Sequence, residues 1–130
     1  MNQEKPGTEQ IIYYDTYALY AIALGQENYL SFIKGFHIKT SLMNLYELYY
    51  SLLRDGKEQL AERFLLRILP NCIEITPNIV KNAAKFRLQY SKLKLSYIDC
   101  LGYNIAKSHN IKFLTGDPGF RDLPEVIFVR

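Results

Sequence analysis

The sequence predicts an α/β domain built on a parallel sheet with helices on both faces, and three observations predict it. Short runs rich in β-branched and aromatic residues, IIYY at 11–14, CIEIT at 72–76, IKFLT at 111–115 and EVIFV at 125–129, have the composition and length of strands. The longer segments between them carry apolar residues at helical spacing, bounded by capping and stop residues. Strands separated in this way need crossover connections, which give parallel pairing and cover both faces of the sheet.

Residues 1–9 hold Pro6, Gly7 and polar side chains with nothing to pack, and they read as a flexible lead-in to a single domain over 10–130. The buried run IIYY comes next, and TYALYAIALG follows as a helix stopped at Gly25. Asp15 therefore stands at a strand-to-helix junction. ENYLSFIKG reads as a short second helix ending at Gly35. TSLMNLYELYYSLLRDG reads as a third, capped by Thr40 or Ser41 and stopped at Asp55-Gly56. KEQLAERFLLRIL makes a fourth, with Leu60, Phe64, Leu65 and Ile68 at helical spacing. After CIEIT, Thr76-Pro77 supplies a cap and a first-turn proline for another helix. LSYIDCLGYNIAKSHN is the last helix, followed by IKFLT, a Gly116-Asp117-Pro118-Gly119 turn and EVIFV.

Composition excludes more than it identifies. Hydrophobic residues make up 48% and charged residues 22%, so neither disorder nor a fibrous class is indicated. No apolar run is long enough to span a bilayer and the N-terminus lacks a secretory centre, which places the protein in the cytoplasm. Cys72 and Cys100 are too few and too isolated for a disulfide framework or a zinc site, and both read as reduced core residues. The net charge of +3 is no argument for nucleic acid by itself. Between Thr76 and Ile98, however, there is no acid, while Lys81, Lys85, Arg87, Lys92 and Lys94 form a positive band. Most of the 11 tyrosines, including Tyr13, Tyr14, Tyr46 and Tyr49, lie at core-facing spacing.

Four acids sit inside apolar words: Asp15 in IIYYDTYAL, Glu47 in LYELYY, Asp99 in SYIDCLGY and Asp117 in FLTGDPGF. A carboxylate in such a setting must be paired, hydrogen-bonded, bound to a metal or neutralised by a raised pKa. Asp15 and Asp117 follow strands, and the carboxyl ends of parallel strands form the crevice where ligands bind. Each has a local explanation too, Asp15 as a helix cap and Asp117 as a turn former. Asp99 falls within the stripe Leu95, Ile98, Gly102, Ile105, Ala106, so a charge faces the buried side of its helix. Glu47 points away from the stripe of Leu42, Leu45, Tyr46, Tyr49, Leu52 and Leu53, and only its neighbours Met43 and Tyr50 suggest cover on that side.

Converging carboxylates without clustered His or Cys favour hard cations such as Mg²⁺ or Mn²⁺. Without a cation they repel, and at least one keeps a proton at a raised pKa. Carboxylate-held cations rimmed by basic residues suit a polyanion, and metal-assisted hydrolysis of a phosphodiester needs no Ser or Cys nucleophile.

The order of these residues resembles the PIN-domain nucleases: Asp15 after a first strand, Glu47 in LYELYY, Asp99 in LSYIDCLGYNIAKSHN and the LTGDPGF turn. The match runs from about Ile11 to Val129 and is most specific in its C-terminal half; in size the chain is most similar to VapC-type toxins of toxin-antitoxin pairs. The resemblance implies a three-layer fold with four or five parallel strands and a Mg²⁺- or Mn²⁺-dependent endoribonuclease. It also implies a homodimer and inhibition by a small antitoxin. Carried over by position, Asp15, Glu47, Asp99 and Asp117 would be the catalytic and metal-binding acids, with Thr115 orienting the turn. The family pattern has a further acid two residues after the last Asp. Gly119 stands there, which weighs against a second metal, with Asp122 near enough to compensate. Lys81, Lys85 and Arg87 would line the RNA path, or form a solvated helix face. The competing reading is an inactive PIN-like module serving as an RNA- or protein-binding scaffold, for which Gly119 is the support. A small-substrate phosphohydrolase would need a second acid two residues after Asp15, where Tyr17 stands.

Overall fold

A computed structural model describes residues 10–130, and the expected lead-in over 1–9 lies outside the described residues. Four strands, β1 (Gln10–Tyr14), β2 (Phe36–Lys39), β3 (Lys112–Thr115) and β4 (Val126–Phe128), form one sheet in the order β2-β1-β3-β4. All three pairings are parallel. Five α-helices connect or flank them: α1 (Thr16–Ala23), α2 (Leu42–Arg54), α3 (Glu58–Ile68), α4 (Pro77–Gln89) and α5 (Tyr97–Ser108).

The helix boundaries follow the cap chemistry. Asp15, Ser41, Thr76 and Ser96 each accept a backbone N–H from the first turn of α1, α2, α4 and α5, which removes an unpaired donor at the helix start. Of the two candidates ahead of α2, Ser41 is the cap, and the Thr40 hydroxyl instead donates to the Tyr14 carbonyl at 2.8 Å. Three expectations change. ENYLSF is a 3-10 turn, Glu27–Phe32, whose N-terminal residue Gln26 makes no side-chain cap. CIEIT is not a strand: Cys72 makes one bridge to Thr40, and the Thr76 cap four residues on leaves no length for a ladder. The fourth strand is FHIK, whose half-polar tetrapeptide carries no strand signal of its own and is held by pairing with Gln10–Tyr13 of β1.

Alternation along β1 and β3 divides the core between the two faces. Ile12, Tyr14 and Leu114 pack with Ala18 and Leu19 of α1, Leu45, Leu48 and Leu52 of α2, and Ala61 and Ile68 of α3. Tyr13 and Phe113 pack on the other face with Ile79, Ala83 and Phe86 of α4, Cys100, Tyr103 and Ile105 of α5, and Phe120. Neither cysteine is in a disulfide; Cys100 is buried and Cys72 half-buried. Gly102 has a packing reason, since a Cβ there would lie 3.0 Å from the Tyr13 ring, and its absence seats α5 against β1. No helix among the described residues is long and apolar enough to cross a membrane.

The aromatic cluster under the second face also anchors the turn that follows β3. The Phe120 ring lies 4.7 Å from that of Phe113 and 5.7 Å from that of Tyr103, and the side chain is fully buried. Truncating Phe120 to Ala is expected to cost about 3–5 kcal/mol in urea unfolding. Leu88→Ala, at a site 81% exposed, should change stability by no more than about 0.5 kcal/mol.

Candidate acidic site at the carboxyl edge of the sheet

Parallel pairing of β1 with β3 sets Tyr14 opposite Leu114, so the residues that follow, Asp15 and Thr115, emerge side by side. The Asp15 backbone N–H donates to the Leu114 carbonyl at 3.2 Å. The Thr115 hydroxyl donates to Asp15 Oδ2 at 2.5 Å and accepts the Asp117 backbone N–H at 3.0 Å. Asp15 Oδ1 meanwhile accepts the Ala18 N–H at 2.9 Å as the cap of α1. Asp117 Oδ1 accepts the Gly119 N–H at 2.9 Å, an Asx-type turn that brings the chain round before Phe120. One hydroxyl thus joins the two strand ends and the turn.

Asp99 lies at the third position of α5 and forms a capping box with Ser96. The Ser96 N–H donates to Asp99 Oδ2 at 2.9 Å, and the Asp99 N–H donates to Ser96 Oγ at 3.0 Å. It is half-buried rather than inside the core. Its signal in the sequence is Ser-Tyr-Ile-Asp at 96–99.

Glu47 sits on the flank of α2 that meets α1. The buried residues of α2 are Asn44, Leu45, Leu48 and Leu52, while Leu42 and Tyr46 of the expected stripe are 57% and 68% exposed. The helix is therefore rotated from the expected orientation, which turns Glu47 to a half-buried edge and puts Tyr46 outside the core. The Thr16 hydroxyl donates to Glu47 Oε1 at 2.5 Å, and Asn44 Nδ2 donates to Thr16 Oγ1 at 3.1 Å. Asn44 Oδ1 in turn accepts from the Tyr13 hydroxyl at 2.5 Å and from Ser41 Oγ at 2.8 Å. Burial pushes the Tyr13 hydroxyl well above its ordinary range, so it remains a neutral donor. None of Thr16, Asn44 or Ser41 was singled out as a site residue. The available signal was Asn44 inside an apolar word, one helical turn before Glu47.

The acids act on one another electrically. Asp15 is 3% exposed, and burial raises its pKa to about 7; the bonds from Thr115 and Ala18 oppose the rise, and the charges of Asp99 and Asp117 add to it. Asp99 is raised chiefly by desolvation, with Asp117 and Glu47 adding repulsion and the Ser96 bonds opposing. The ion pairs among the described residues are Arg54–Asp55 and Lys112–Glu125, so no Lys or Arg neutralises the four. Yet the expected cage is not closed: among the described residues no three Asp, Glu, His or Cys side chains stand close enough to hold one metal ion. Each carboxyl is held by its own local bonds. In donor chemistry the set suits a hard cation: oxygen donors only, with a buried acid surrounded by like charges and no cation partner of its own.

The supporting residues separate. Asp122 is exposed beyond the turn and is not among the leading charges on Asp15 or Asp99. A Cβ on Gly119 would fall 2.8 Å from Leu95 Cδ2, so an acid at that position would displace Leu95. Lys81 and Lys85 are exposed one turn apart on α4. Arg87 points to another side, with its guanidinium 4.0 Å over the Tyr97 ring and its Nε donating to the Leu95 carbonyl at 3.1 Å.

A family model described as PIN domain matches residues 12–126. No curated protein matches the sequence. Among solved structures the chain is similar to VapC20 of Mycobacterium tuberculosis, described as a sarcin-ricin loop cleaving toxin, at TM-score 0.76 and 19% identity over 92% of this chain and 98% of that one. A toxin-antitoxin complex from Klebsiella pneumoniae matches at TM-score 0.73 and 21% identity over 89% and 95%. VapBC2 from Rickettsia felis, bound to a DNA fragment from its promoter, matches at TM-score 0.68 and 20% identity over 92% and 98%. At these identities the likeness is one of fold.

The Asp15 environment predicts a pH signature. Because the folded pKa is raised from 3.8 to about 7, the folded state holds more protons than the unfolded state between those values, and stability should fall as pH rises through that window. Asp15→Asn keeps an amide oxygen for the Ala18 N–H and removes the titration. In urea unfolding in EDTA from pH 4 to 8, it should abolish a slope on the order of 3 kcal/mol. Parallel pH profiles for the two proteins would contradict this account of Asp15.

Proposed function

The chain belongs to the PIN-domain family, and on that premise we propose that it is a metal-dependent endoribonuclease hydrolysing RNA phosphodiester bonds in the cytoplasm, the toxin of a toxin-antitoxin pair. The observation that carries this reading is Asp15: a carboxyl 3% exposed, in the field of Asp99 and Asp117, with no ion pair to a cationic side chain among the described residues. A protein that needed this acid only as a cap would gain nothing by adding two more carboxyls around it.

Asp15, Glu47, Asp99 and Asp117 are the residues proposed to hold Mg²⁺ or Mn²⁺. Bound there, such an ion supplies a hydroxide from water near neutral pH and offsets charge on the phosphate. The protein's part is positional. Thr115 and Ala18 fix both oxygens of Asp15, so this group is the rigid floor of the site. Glu47 is held through Oε1 by Thr16, and its other oxygen would complete the shell or position the water. Asp99 and Asp117 each commit one oxygen to a backbone N–H and keep one for the site. With Leu95 against Gly119 and Asp122 exposed, these residues support one cation.

Lys81 and Lys85 are proposed to meet phosphates flanking the cut, while Arg87, occupied by Tyr97 and Leu95, steadies the start of α5 and thereby Asp99. An antitoxin partner is inferred from the Klebsiella and Rickettsia complexes, and a homodimer from the family. Exposed Leu42, Tyr46, Leu66 and Leu69 on and after α2 and α3 supply apolar surface that such partners would cover.

The open spacing of the acids favours a second reading, a PIN module without activity that binds RNA or protein. Incubation of the protein with a mixed RNA pool and Mg²⁺ or Mn²⁺ separates the two. The nuclease reading expects cleavage that EDTA stops and that Asp99→Asn lowers on the order of 10²-fold or more, since Asn retains the acceptor for Ser96 but not the charge. RNA binding with no cleavage under any divalent cation would favour the scaffold.

A further inference from the structure

The polar chain that ends on Glu47 begins in the core. Tyr13 and Ser41 are fully buried and Asn44 is 1% exposed, whereas Thr16 and Glu47 are half-buried at the edge. The Tyr13 ring stacks on Phe113 of β3 with centroids 5.6 Å apart, and it meets α5 at Gly102, where a Cβ would lie 3.2 Å from the Tyr13 hydroxyl oxygen. Close packing between β3 and α5 therefore fixes the first member of the chain.

The direction of each bond follows from how many hydrogens its members own. Asn44 Oδ1 accepts from the Tyr13 hydroxyl at 2.5 Å and from Ser41 Oγ at 2.8 Å, which occupies both of its lone pairs. Asn44 Nδ2 carries only hydrogens, and it donates to Thr16 Oγ1 at 3.1 Å. The Thr16 hydroxyl has a single hydrogen and gives it to Glu47 Oε1 at 2.5 Å. A carboxylate can close such a sequence because it accepts and does not donate. The apolar seat of α2 is supplied by Leu45, Leu48 and Leu52, so packing does not call for an amide at 44.

We propose that Asn44 is a positioning residue: by fixing the Thr16 hydroxyl it holds the Glu47 carboxylate in one orientation, with Oε1 bound to Thr16 and the second oxygen left for the acidic edge. The inference rests on the proposed function only for what that oxygen meets, a divalent cation or its water. The positioning itself belongs to the metal-free protein. Through Tyr13 and Gly102 it also refers Glu47 to α5, the helix that carries Asp99.

Two measurements test it. In metal-free protein, three-bond NMR couplings across the Glu47 side chain report whether it keeps one rotamer. The parent should keep one, Asn44→Leu and Thr16→Val should each average over several, and Thr16→Ser, which returns the hydroxyl, should restore it. Calorimetric titration with Mn²⁺ reads the consequence. Asn44→Leu and Thr16→Val should each raise Kd about 10- to 100-fold, and the double variant should be no weaker than the singles, because both cut the same chain. Thermal unfolding checks that each variant is folded. Should Asn44→Leu fail to fold, Tyr13→Phe/Asn44→Leu also removes the stranded hydroxyl and takes its place. A single Glu47 rotamer in the folded Asn44 variant, additive losses in the double variant, or a parent-like Mn²⁺ affinity in both single variants would overturn the proposal and leave the nuclease reading standing. Glu47 ordered through Asn44 in a parent that binds no Mn²⁺ would do the reverse.

Discussion

The hydrogen bond from the Thr115 hydroxyl to Asp15 ties the end of β3 to the end of β1, and the geometry of the acidic edge is referred to it. Thr115 is fully buried and Asp15 almost so, which shields this contact from competing water. From it the chain proceeds in two directions. Asp15 starts α1 by accepting the Ala18 N–H, and Thr115 starts the Asp117 turn by accepting the next N–H but one. The turn then delivers Phe120 into the aromatic cluster of the second face. A polar contact at the top of the sheet is thereby continuous with apolar packing beneath it.

Each candidate acid also performs a local structural task. Asp15 caps α1, Asp99 completes a box at α5, Asp117 forms its turn, and Glu47 ends a buried polar chain that runs from Tyr13 through Asn44 and Thr16. These tasks give each carboxyl bonds of its own, and among the described residues no three acids come close enough to share one ion. Helix N-termini lie at two of the four, and their unpaired N–H groups offset some of the repulsion. Among the described residues no Lys or Arg forms an ion pair with any of the four, and desolvation and mutual repulsion both oppose the charging of Asp15 and Asp99.

Much of the fold was legible because its signals are local. Caps and stops placed α1, α2 and α4, with Asp15, Thr40 or Ser41, and Thr76 as the candidate caps; α5 came from the apolar spacing of its segment and not from Ser96, and the β-branched runs placed β1, β3 and β4. The strand FHIK was not legible, since His37 and Lys39 interrupt any apolar pattern and only pairing with β1 makes it extended. CIEIT misled for the opposite reason: it has the composition of a strand, but its neighbours turn it into α4 after one bridge. The rotation of α2 was hidden because leucine and tyrosine occur on most of its circumference, so periodicity could not tell which face is buried, and Glu47 and Tyr46 were both misoriented as a result. Isolation in apolar words found the four acids. It could not reveal Thr16 and Asn44, whose importance comes from a meeting of α1 with α2.

The acidic edge is assembled from opposite ends of the chain: Asp15 and Thr115 are a hundred positions apart. β3 enters the sheet between β1 and β4, and α5 docks beside it. A polypeptide extended only as far as α3 already carries Asp15 and Glu47, but not Asp99, Thr115 or Asp117. The edge is therefore completed only when β3 and the turn after it have joined the sheet, and no N-terminal fragment of the domain can assemble it by itself.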